Sequence, residues 1–214
     1  MKQTFPLRRE AIGDGVYFGS ITDSRFKTNL LTVNLVLPLE RETVTENAML
    51  PLALEKCWEE FPTRLGLAKH LNMLYGASVG GGTVKLGDSE ILTLSFSAID
   101  SAYALHGEDL MDEGAKTLLG LLLRPVVKDG GLEEENLNLQ RQYLIDSIQA
   151  EINDKRGYAL SQTVRAMFAG DPCALNRLGY VEDVEKITPE SALAAYRRVL
   201  DQSRIEILHV GMGD

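Results

Sequence analysis

Few side chains in these 214 residues have the chemistry of a catalyst or a metal ligand, and their spacing narrows what they can do. Histidine occurs only at positions 70, 106 and 209. A zinc site built by local spacing needs two histidines three or four positions apart, and the chain holds no HxxEH and no HxxxH. His106 stands near Glu108, Asp109, Asp112 and Glu113. That acidic run lacks the spacing of a calcium loop and reads as the negatively charged first turn of a helix. His209 falls in an apolar strand pattern, where a satisfied core or edge histidine is the plain reading. The cysteines, Cys57 and Cys173, are too few and too distant for a disulfide framework and read as thiols of a reducing compartment. Cys57 and His70 would make a nucleophile and base by type, but they fall on different expected helices, and Cys57 sits in an apolar pattern as a small core residue does. The run Val79-Gly80-Gly81-Gly82-Thr83 invites a phosphate-loop reading. It lacks the Gly-Lys-Ser/Thr ending and leads into a strand rather than a helix N-terminus. Glycines inside a strand mark a bulge or a close approach by another backbone.

The elements that carry these residues follow from periodicity. Val16 to Ser20 and Arg25 to Pro38 read as strands, the second with Leu31, Val33, Leu35 and Leu37 on one face. Glu46 to Phe61 carries apolar residues at helical spacing, with Pro51 allowed only in a first turn and Pro62 as terminator. Thr63 caps a second helix whose stripe is Leu67, Ala68, Leu71 and Leu74, closed by Gly76. Ala77 to Leu86 and Glu90 to Ile99 form an antiparallel hairpin across Gly87-Asp88-Ser89. A helix over Glu108 to Leu123 turns Leu110, Met111, Ala115, Leu118, Leu119 and Leu122 inward. Leu132 to Ala169 is one long helix or two abutting ones. Thr188-Pro189 starts a last helix through Leu200, and Arg204 to Val210 closes as a strand. This order predicts an α+β fold, an antiparallel or mixed sheet with helices on one face, as a single domain over residues 1–214.

Composition excludes some partners. The 22 Lys and Arg against 31 Asp and Glu leave a formal charge of -9, which repels nucleic acid and anionic membrane surfaces. The opening segment has no apolar signal region, and no run approaches the roughly 20 apolar residues of a membrane span, so a cytoplasmic address is expected. The 44% apolar content supports a sizeable core.

The run LPLALEKCWEEFPTRLGLAKHLNMLYGASVGGGTVKLGDSEILTLSFSAI resembles the centre of a pitrilysin/insulinase-type zinc peptidase half-domain. In that family a helix with HxxEH is followed by a second helix ending Leu-x-Gly-Ala, here Leu74-Tyr75-Gly76-Ala77, and then a strand hairpin. Further on, Phe168, Gly170, Pro172, Gly179, Ile187, Thr188 and Tyr196 keep the family's order, so the resemblance covers nearly the whole chain. It implies that both histidines of HxxEH and a later glutamate bind zinc, while the motif glutamate acts as general base. Laid on LPLALEK, the histidine positions are Pro51 and Glu55 and the general-base position is Leu54. QRQYLIDSI puts Gln140 at the later ligand and Ser147 at a second glutamate. Proline and leucine offer zinc no lone pair, and no histidine occurs before residue 70, so no shift of register recovers the motif.

The resemblance therefore implies a zinc-peptidase-like half-domain that has lost its metal site and needs no cofactor. Such domains pair around a chamber, so the expected partner is a second pitrilysin-like domain or subunit, with a homo-oligomer as one form of it. The chain ends where the family's first domain passes into its second, which reads as the front half of a longer protein. An extended peptide is the second expected partner, added as a strand to the hairpin edge over Ala77 to Val84, with Ser78, Gly80 and Gly82 as binding residues. The competing readings are an active zinc endopeptidase with unusual ligands, such as His70 or His106, or with catalysis supplied by a partner, and a purely structural subunit.

Overall fold

The computed structural model describes residues 7–212. Among the described residues eight strands and seven α-helices follow in the order β1 (Arg8–Gly13), β2 (Val16–Thr22), β3 (Thr28–Pro38), α1 (Val44–Leu54), α2 (Arg64–Met73), β4 (Ser78–Leu86), β5 (Ser89–Ile99), α3 (Leu110–Leu123), the two-residue strands β6 (Val127–Lys128) and β7 (Gly131–Leu132), α4 (Glu134–Ala150), α5 (Lys155–Met167), α6 (Val181–Val184), α7 (Pro189–Gln202) and β8 (Arg204–Gly211). Six strands form one sheet in the order β1-β2-β8-β3-β5-β4. The closing strand β8 runs parallel to β2 and antiparallel to β3, which makes the sheet mixed, one of the two forms expected for the α+β fold.

Strict alternation fixes which face is buried. Leu31, Val33, Leu35 and Leu37 of β3 and Leu92, Leu94, Phe96 and Ala98 of β5 form one core with α1, α3, α4 and α7. The alternate positions of these strands, Thr32, Asn34, Thr93, Ser95 and Ser97, lie half-buried on the other face. Thr63 caps α2 by accepting from the Gly66 N–H, and Thr188 and Ser191 make a capping box at α7. The β4–β5 hairpin turns at Gly87, whose φ of +60° a residue with a Cβ adopts only under strain.

Several boundaries differ from the sequence-based expectation. The first helix ends at Leu54, so Cys57 and Trp58 lie beyond it, and Trp58 makes an isolated bridge with Phe61. Pro51 sits inside that helix rather than in its first turn. The helix accommodates it near its C-terminal end, where only three residues follow. In α2 the expected stripe residue Ala68 is exposed, and the helix closes through Leu74 and the positive-φ pair Tyr75 and Gly76. Leu119 of α3 is 41% exposed, and Gly114, Thr117 and Leu121 are buried instead. The long helical stretch is broken after Ala150, and Asp154 caps α5 by accepting from the Gly157 N–H. The strands β1, β6 and β7 and the short helix α6 lie outside the elements expected from periodicity.

Candidate functional site

The centre of the site is the crossing of α1 over β4. The sheet ends at β4, and Gly81 faces inward onto the helix: a Cβ there would collide with the carbonyl of Pro51 and crowd the Glu55 carboxylate. The glycine is thus required by close backbone approach, not by its dihedral angles. An open cavity of about 370 Å³ lies beside this crossing, lined by Leu52, Glu55, Lys56, Arg64, Gly81, Leu139, Gln140 and Tyr143.

Of the four positions named from the motif, Glu55 and Gln140 meet at this cavity. Pro51 and Leu54 instead line a small apolar pocket with Leu35, Leu50, Leu92 and Leu94. The pattern i, i+3, i+4 that places three side chains on one helix face falls, one residue later, on Leu52, Glu55 and Lys56, and all three line the cavity with Gln140. In that register a carboxylate stands at the general-base position, and leucine and lysine stand at the histidine positions.

The polar groups are held by one another. Glu55 and Lys56 form an ion pair, the carboxylate side chain 11% exposed. Gln140 is buried and its Nε2 donates to Asn136 Oδ1 at 3.3 Å, while Asn136 Nδ2 donates to the Ala53 carbonyl at 2.8 Å, which ties α4 to the end of α1. No described residue donates to Gln140 Oε1, and Arg64 has no acidic partner among the described residues. The set does not suit zinc: it offers one carboxylate, already paired with an ammonium, an amide, and no imidazole. Among the described residues no three His, Cys, Asp or Glu side chains converge as metal ligands.

The edge of β4 is the second part of the site. Arg177 Nη1 donates to the Thr83 carbonyl at 3.1 Å, so Thr83 points its main-chain groups away from β5. By the alternation of an antiparallel ladder, Gly81 and Val79 do the same, while Ser78, Gly80 and Gly82 bond to β5. The expected binding residues Ser78, Gly80 and Gly82 therefore interleave with the residues that own the free edge groups. At the other end of the strand Lys85 Nζ donates to the carbonyls of Cys173 and Leu175 at 2.7 and 2.8 Å, and burial lowers its pKa. The loop that carries these carbonyls and Arg177 shields the far end of the edge, leaving Val79 to Gly82 without a main-chain partner on that side among the described residues.

The remaining candidates have structural partners. His70 stacks on Phe61 with ring centroids 4.3 Å apart, and its Nε2 lies 3.1 Å from Thr117 Oγ1. The His106 N–H donates to Glu108, which also accepts from the Tyr75 hydroxyl; Asp109 caps α3, and Asp112 and Glu113 pair with Lys116. Buried His209 contacts Asn29 through Nε2 at 3.2 Å, and burial lowers its pKa. The Cys57 thiol is pushed up by burial and then by Glu133, opposite to what a nucleophile needs. Cys57 and Cys173 are both free. No helix among the described residues is long and apolar enough to cross a membrane.

No protein-family model matches the chain. Among curated proteins it is similar to one from Bacillus subtilis (strain 168) named "Probable inactive metalloprotease YmfF", 27% identical over 191 residues, which are 89% of this chain and 45% of that protein. The chain thus spans about half the length of the curated relative it matches. Among solved structures it is similar to a conserved protein from Enterococcus faecalis V583, with a TM-score of 0.88 and 24% identity over 97% of this chain and 49% of the other. It is also similar to a peptidase M16 inactive domain from Pseudomonas fluorescens, with a TM-score of 0.70 and 12% identity over 97% of this chain and 47% of the other.

Proposed function

We propose that this pitrilysin-type half-domain, a zinc-peptidase fold without zinc ligands, holds extended peptide at the β4 edge and works paired with a second half of the same kind. The fold is that of the M16-type half-domains, and the positions where the metal would be bound are degenerate. One observation carries the peptide reading. The strand that ends the sheet has open main-chain groups from Val79 to Gly82, directly beside the cavity of Glu55 and Gln140. A peptide laid along that edge would gain main-chain hydrogen bonds without side-chain selection, the usual economy of strand addition.

The pairing reading is supported by length: the Bacillus subtilis protein and the two solved structures compared above are each about twice as long as this chain. The partner is a second domain or subunit of the same fold, and the shared chamber wall is this chain's contribution. A cytoplasmic place is supported by two free thiols, one of them buried. We also read the degenerate motif as Leu52-Ala53-Leu54-Glu55-Lys56, which keeps the general-base carboxylate and replaces both histidines.

Amide hydrogen exchange with and without an unstructured peptide tests the edge reading. The Val79 and Gly81 amides should slow on peptide addition, while Gly80 and Gly82, already bonded to β5, change little. Protection elsewhere with no change at Val79 and Gly81 would refute it.

A further inference from the structure

We propose that the cavity beside β4 binds a carboxylate of the bound peptide, with Arg64 as its principal anchor. The inference rests on the peptide-edge reading above and adds what the cavity recognises. Its charges decide the class of ligand. Glu55 and Lys56 neutralise each other, and the remaining charged group in the lining is the Arg64 guanidinium, which leaves one unmatched positive charge. Arg64 is the first residue of α2, exposed, and makes no side-chain hydrogen bond with any described residue, so all five of its N–H donors are available.

A planar fork of donors matches a carboxylate bidentately. Two further groups extend the match. The Tyr143 hydroxyl has no partner among the described residues and lines the same space, and Lys56 Nζ has donors beyond the one engaged by Glu55. Gln140, 3% exposed and lining the cavity, leaves Oε1 without a donor, which suits a peptide N–H next to the carboxylate. A divalent cation does not suit the site, because an ammonium and a guanidinium already stand there. A nucleic-acid phosphate would face the net charge of -9. Gly81 links the cavity to the strand edge, so one extended peptide can lie on β4 and reach Arg64.

The carboxylate has two sources, the peptide C-terminus or an Asp or Glu side chain, and binding to the full chain distinguishes them. Three versions of one fluorescent unstructured peptide would be titrated by anisotropy: free C-terminus, amidated C-terminus, and amidated with an internal Glu. The charge-assisted fork predicts that a carboxylate-bearing version binds about tenfold tighter than the plain amide. Arg64→Met should erase that preference, and Arg64→Lys should keep part of it. Whichever carboxylate version gains identifies the source. Equal binding of all three, or a preference untouched by Arg64→Met, overturns the carboxylate site and leaves the edge reading standing. Failure of all three to bind overturns both. Thermal unfolding of each variant verifies that its fold is kept.

Discussion

Burial of Glu90 makes a quantitative prediction. The residue is fully buried on the inner face of β5, where Oε2 accepts from Asn47 Nδ2 at 2.9 Å and Oε1 has no partner. Asn47 in turn accepts from Arg198, which also pairs with Glu46. Loss of hydration raises the Glu90 pKa from 4.5 to about 7, while the Asn47 hydrogen bond and Arg198 pull it back part of the way. Because the folded state holds this proton more tightly than the unfolded one, the stability it gives is complete below pH 4.5 and is lost as pH rises through about 7. The difference between the two values is worth about 3 kcal/mol. Glu90→Gln keeps an acceptor for Asn47 and removes the ionisation, so it should stabilise the protein by up to about 3 kcal/mol at pH 8 relative to its effect at pH 4.5. Urea unfolding of both proteins at intervals from pH 4.5 to 8 measures this. His209, whose pKa burial lowers, costs stability as pH falls below its unfolded value, and that contribution is common to both proteins and cancels in their difference. Parallel stability curves for the two proteins across this range would refute the reasoning.

Three further variants probe the site. Gly81→Ala drives a Cβ into the Pro51 carbonyl, a backbone atom that cannot turn aside, and should cost about 1–3 kcal/mol in urea unfolding; a loss under about 0.5 kcal/mol would mean that α1 and β4 are not held this close. Leu52→His with Lys56→His and Gln140→Glu, keeping Glu55, should bind one zinc per chain by elemental analysis after dialysis, whereas Pro51→His with Leu54→Glu, Glu55→His and Gln140→Glu should bind none; the reverse result refutes the register that starts at Leu52.

The features most legible in the sequence were those set by local chemistry. The alternation in β3 and β5, the turn at Gly87 and the caps at Thr63 and Thr188 each depend on residues within a few positions of one another. The facing of α1 was not legible for a physical reason. Nine of its eleven residues are buried, so it has no polar stripe to show which side meets the cavity and which meets the core. Leu54 and Glu55, adjacent in sequence, are sent to different surroundings by contacts from α4, α7 and the sheet. The interior Pro51 misled in the same way: proline's cost in a helix argued for a first turn, whereas it stands three residues before the end of α1. The strand β1 has no buried residue and so no alternation to reveal it.

The identity of the residue at position 56 explains how such a site can lose its metal and keep its shape. A carboxylate left in a partly closed cavity after removal of a divalent cation is an uncompensated charge, and burying one is costly. Lysine supplies a cation one residue from Glu55 and pairs with it directly. Read in the register that starts at Leu52, a single side chain thus takes the place of a ligand and balances the charge that the metal would have balanced. Meanwhile Asn136 and Gln140 bind α4 to the end of α1 through amide hydrogen bonds that need no metal. In that register both histidine positions are replaced while the Glu55 carboxylate remains, and the strand edge and the cavity beside it are held together at the Gly81–Pro51 contact. On the proposed reading hydrolysis and holding are separable, because hydrolysis would depend on a few side-chain types, whereas holding would depend on the main chain of β4.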